Sequence, residues 1–100
     1  MFQGFIDLEG TFKGLTISEP ASKVPTAADS LPTARVYSAS GYLLNATVTT
    51  FDTGNLTGAY QWSVAATAAN GFASGQSYFV VFNYTVASVN FSKVESFAVS

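Results

Sequence analysis

The side chains able to do chemistry in this 100-residue chain are six carboxylates, four cations, five tyrosines and many hydroxyls; histidine and cysteine are absent. Without them no Ser-His-Asp or Cys-His arrangement can activate a nucleophile, and zinc loses its usual nitrogen and sulfur ligands. Disulfides and thiol catalysis go with the cysteines. Asp7 and Glu9 stand two apart, so on one strand they would share a face as the simplest paired-carboxylate candidate. The same spacing marks the solvent side or protected edge of a strand, and alternation accounts for it without chemistry. A Ser-Lys nucleophile built on Lys93 has no spacing to support it. Asp52, in the run Asp52-Thr53-Gly54-Asn55, supplies one carboxylate where calcium needs about six to eight oxygens. An Asx hydrogen bond that closes a turn is its expected role. The chain is therefore expected to be no enzyme, with no catalytic residue, metal or cofactor.

Such residues need elements to position them, and the composition points to strands. Nearly half the residues are apolar (48%) and only 10% are charged, which opposes disorder. Thr, Val and aromatic residues suit half-buried pleated faces. Low charge leaves Ser, Thr, Asn and Gln to cover the outside, and fits a surface partly covered by neighbours in an assembly. One hundred residues make one domain.

The net charge of −2, with Lys13, Lys23, Arg35 and Lys93 spread along the chain, gives no basic patch for a phosphate backbone. Nucleic acid is not an expected partner. The longest apolar run, residues 79–82, is far short of the ~20 residues of a membrane helix, so no membrane partner is expected either. Acidic Asp7 and Glu9 stand where a secretory leader would be basic and then apolar. A free-standing product made in the cytoplasm is the expectation, and the Asn-x-Ser/Thr triplets at Asn45, Asn55, Asn83 and Asn90 then read as chance.

Pro20, Pro25 and Pro32 all fall within residues 19–33, which read as an extended connector. It separates N-terminal strands or an arm, residues 1–18, from a main body, residues 34–100. Period-two alternation and turn residues predict strands near 5–9, 12–18, 35–38, 42–48, 60–66, 78–86 and 93–99. About seven strands with regular turns predict an all-β, antiparallel sandwich. The arm would belong to the same sandwich, or pair with the sheet edge of an adjacent subunit.

Tyr42, Tyr60, Trp62, Tyr78, Phe82 and Tyr84 occupy alternating positions expected of a core. Phe51, Phe72, Phe79 and Phe91 fall at turns or off that phase, and with Phe5 they are the candidate interaction residues. In a strand Phe79 and Val81 would point away from Tyr78, Val80 and Phe82, implying a second buried layer or an interface.

Four motifs run through residues 28–100: D-x-x-P-x-x-x-V-Y at Asp29, Pro32 and Val36-Tyr37; T-G-x-Y at Thr57, Gly58 and Tyr60; G-F-x-x-G-x-x-Y at Gly71-Phe72, Gly75 and Tyr78; and S-F-x-V ending at Val99. This rhythm resembles small immunoglobulin-like virion proteins of tailed bacteriophages. The resemblance covers about seventy residues, and its motifs are structural. It implies an immunoglobulin-like sandwich located in the virion, with capsid, portal or tail subunits as partners, a homo-oligomeric state, and capsid decoration as the leading role. Other roles it implies are a head-tail junction, tail or fibre module. An adhesion domain for glycan or a host surface is a further reading, for which Phe72, Phe91 and the Tyr37–Tyr42 turn should cluster, exposed, at one end.

Overall fold

The alternating segments form seven strands in the computed structural model, which describes all 100 residues. They are β1 (Phe2–Ile6), β2 (Thr11–Ile17), β3 (Thr33–Ser38), β4 (Val48–Asp52), β5 (Ala59–Ala65), β6 (Gln76–Val86) and β7 (Val89–Val99). Sheet A has the order β1-β7-β6-β3 and sheet B the order β2-β5-β4. The two sheets pack as an all-β sandwich. Every pairing is antiparallel except β1 with β7, which is parallel.

The inward phase of both sheets meets in one aromatic-rich core. β2 contributes Phe12, β3 Val36, β5 Trp62 and Val64, β6 Tyr78, Val80 and Phe82, and β7 Phe97 and Val99. Phe97 stacks on Phe12 with centroids 4.7 Å apart, and Trp62 lies against Phe82 at 5.5 Å. Such pairs add about 0.5–1.5 kcal/mol beyond area burial. Gly14 is opposite Trp62 in the β2–β5 register. A Cβ at Gly14 would lie 2.6 Å from two indole carbons, so the missing side chain is what lets the indole fit.

Three expectations are corrected. Residues 42–48 are not a strand: the chain crosses there from sheet A to sheet B, a span of about 10 Å, held by a single bridge between Tyr37 and Leu43. Leu44 and Ala46 still pack on the core, but Tyr42 projects into solvent, 75% exposed. Asp7 and Glu9 share no strand face, because β1 ends at Ile6 and a turn closes through Gly10 N–H to Asp7 O. The Asp7 carboxylate accepts from Ser100 Oγ, and Glu9 accepts from Ala68 N–H at 3.1 Å. Phe72 is not exposed. The loop after β5, with a 3₁₀ turn at Ala68–Asn70, folds over the end of the sandwich and inserts the ring edge-on against Tyr78 at 4.6 Å. The Tyr78 hydroxyl accepts from Ala73 N–H at 2.7 Å and fastens that loop.

The connector lies along the sandwich and is fastened by side chains. Tyr84 Oη accepts from Glu19 N–H and donates to Glu19 O, and Tyr60 Oη accepts from Ala28 N–H. Gly58 has φ +79°, and a Cβ there would meet Thr26 N at 2.7 Å. The Lys93 ammonium is 2.7 Å from Glu19 Oε1; this contact, as hydrogen bond and charge pair, holds the Glu19 carboxyl below its ordinary value. Asp29 bridges to the β6–β7 hairpin: its N–H donates to Thr85 O, and its two carboxylate oxygens accept from Ala87 N–H and Ser88 N–H. The Ser88 amide is the chief reason that its carboxyl is also held low.

Candidate interaction surface

The outward phase of sheet A carries an apolar patch at its β1 end, bordered by the polar row Thr33, Asn83, Ser92. One cross-strand row runs Phe2, Ser96, Phe79, Tyr37, the next Val94, Val81, Arg35, and a third Phe5, Ala98, Ser77. Phe2 is 53%, Phe5 70%, Phe79 40% and Val94 47% exposed, whereas Ala98 beneath them is nearly covered. The Phe2 and Phe5 rings meet edge-to-face at 5.2 Å. An irregularity in the β1–β7 register between Phe2 and Phe5 lets both rings face outward, while Gln3 between them turns inward to donate to Glu95 Oε1 at 3.1 Å. A bulge of this kind is how a short strand re-aims a side chain. Arg35 is the one charged side chain in these rows.

Behind the face lies a carboxylate that the sequence reading did not single out. Glu95 is 2% exposed. Its Oε2 accepts from Thr16 Oγ1 at 2.8 Å, and the α-amino nitrogen of Met1 is 3.4 Å from its Oε1. Thr16 and Gln3 thus tie sheet B and β1 to β7 through one buried group. The structure contains no cluster of three or more His, Cys, Asp or Glu able to hold a metal. Asp52 accepts from Gly54 N–H at 2.9 Å, an Asx contact.

The five aromatic candidates separate. Phe5 and Phe79 lie on the outer face of sheet A, 70% and 40% exposed. Phe51 is on the opposite side of the molecule, in β4 and not in a turn, and is 49% exposed. Phe91 is half-buried against Tyr84, with centroids 5.8 Å apart, and Phe72 belongs to the core. Phe91 pairs with Tyr84 near the hairpin, whereas the Tyr37–Tyr42 turn lies beside Tyr78 at the other end of β6. The single-end aromatic cluster expected for an adhesion domain is therefore not formed. Phe2 was missed because the first strand was placed at residues 5–9. An Asp-x-x-Gly run at Asp7–Gly10, which favours a turn, would have ended it at Ile6.

The outer face of sheet B is more polar. Leu15, Gln61 and Phe51 form one cross-strand row there, beside Lys13 and Ser63. Together with Gln3 they line a shallow groove of about 590 Å³.

The motif residues have structural work to do. Asp29 braces the hairpin, Gly58 admits the connector, Tyr60 and Tyr78 tie loops, and Gly75 N–H donates to Val99 O. No protein-family model, curated protein or solved structure matches the chain.

Proposed function

We propose that this chain is a non-enzymatic structural protein of a bacteriophage particle, acting through protein–protein contacts made by the outer face of sheet A. The exposed apolar face carries the reading: contiguous apolar surface on a small domain marks an interaction site. The absence of histidine and cysteine from the sequence supports a role without catalysis. Strand order supports the immunoglobulin-like part of the reading. β2-β5-β4 opposite β3-β6-β7 matches sheets B-E-D and C-F-G of an immunoglobulin domain, and Tyr78 makes the contact of a tyrosine corner. The virion assignment, and within it capsid decoration, rests on the motif resemblance.

The test is co-sedimentation of the tagged protein with tailed-phage particles purified from a host carrying the gene. A fixed copy number per particle through a density gradient is the expected result. Protein remaining wholly in the free fractions would overturn the assignment.

The groove on sheet B favours one second reading, an adhesion module for glycan. Its amides, ammonium and hydroxyl between Leu15 and Phe51 have the chemistry to hold a sugar ring. Glycan-array binding that is lost in Gln61→Ala would support it.

A further inference from the structure

We infer that the outer face of sheet A is the contact between two copies of this chain, packed sheet on sheet about a two-fold axis. The inference rests on the reading of that face as the interaction site and names its partner.

Area comes first. At their observed exposures the rings of Phe2, Phe5 and Phe79 leave on the order of 300 Å² of aromatic surface in water. Val94, Val81 and the Tyr37 ring bring the patch toward ~450 Å², the size of the largest apolar patches on soluble monomers. Four strands at about 4.8 Å spacing, with their side-chain fringes, cover a footprint of roughly 600 Å². Two copies then bury about 1,200 Å² in total, the lower bound of specific interfaces. A face of this size holds a small, weak dimer together.

Charge permits a second copy as the partner. Arg35, on edge strand β3, is the only ionised side chain in the rows of this face. A second copy therefore meets the face without burying an unpaired carboxylate or ammonium at its centre. Because the contact is isologous, the same rows serve both copies.

The experiment is light scattering of the full chain from ~1 to ~300 µM, the range in which a weak dimer of this area dissociates. The wild type is expected to pass from monomer to dimer. Val94→Lys and Phe79→Ser remain monomeric throughout, and Leu15→Lys on the other face dimerises like wild type. Thermal melts check that the variants fold. A wild type monomeric over the whole range, or a dimer indifferent to Val94→Lys and Phe79→Ser, overturns the inference. Such a monomer that still co-sediments with particles leaves the proposed function standing with a different partner; one that does not overturns both.

Discussion

Asp29 and Ser88 are 59 residues apart in sequence and joined at 2.9 Å, carboxylate oxygen to amide nitrogen. The contact explains a turn that its own residues would not make. Two-residue hairpins of this geometry want positive φ at both positions and favour Asn-Gly, yet Ala87 and Ser88 occupy them at φ +50° and +65°. Left-handed backbone costs roughly 1–2 kcal/mol per ordinary residue. The Asp29 carboxylate offsets that by accepting both turn amides.

Asp29→Ala should therefore lower the unfolding midpoint, because both turn amides lose their charged acceptor. Ser88→Gly should recover part of the loss, since glycine relieves the strain that the carboxylate was opposing. Urea unfolding of the single and double variants checks both. Equal losses with and without Ser88→Gly would sink the account.

Acid should loosen the connector. Glu19 and Asp29 both have carboxyls held below their ordinary values, 4.5 and 3.8, by Lys93 and by the Ser88 amide respectively. A carboxyl lowered in the folded state contributes stability that is present above its unfolded value and lost as pH falls through the folded one. The difference in unfolding midpoint between wild type and the Glu19→Gln/Asp29→Asn double variant should be full above about pH 5 and narrow below about pH 4. A difference independent of pH would remove both groups from the explanation.

Gly14→Ala should cost more than an exposed glycine substitution in a strand. Its Cβ would overlap the Trp62 indole, 2.6 Å from Cε2 and Cζ2, and overpacking of this kind costs about 1–3 kcal/mol. Trp62→Phe should be less harmful in the Gly14→Ala background than alone, a coupling read by a double-mutant cycle. Strict additivity would show that the two do not compete for space.

Trypsin should cut first at Lys23. That residue lies exposed in the connector, while Lys13, Arg35 and Lys93 lie in β2, β3 and β7. The two fragments should stay together, because β1 and β2 remain paired with β7 and β5. First cleavage at Lys13 or Arg35, or immediate separation of the fragments, would contradict this.

Alternation made the two long inward faces readable: Tyr60, Trp62 and Val64 in β5, and Tyr78, Val80 and Phe82 in β6, are buried as their phase requires. The same periodicity misplaced residues 42–48, because a crossover that seals the end of a sandwich can also alternate. Phe72 was misjudged because burial in a loop depends on how the loop folds back, which carries no period. The Ala87-Ser88 turn was illegible locally; its cause sits in the connector. Of the surface, Phe79 was legible from phase within one strand. Its continuity with Phe2, Phe5 and Val94 required the order of four strands, and pairing between residues 2 and 96 leaves no local trace.

The parallel pairing of β1 with β7 also sets a timetable for synthesis. The strand that opens the domain has no partner until the last strand has left the ribosome, roughly 5–20 s later at ordinary elongation rates. Folding of so non-local an arrangement then proceeds in milliseconds to seconds. For that whole interval Phe2 and Phe5 travel on an unpaired strand, and nascent chains on one polysome present them side by side. Crowding on the message, before any finished molecule exists, is where this protein is most exposed to aggregation.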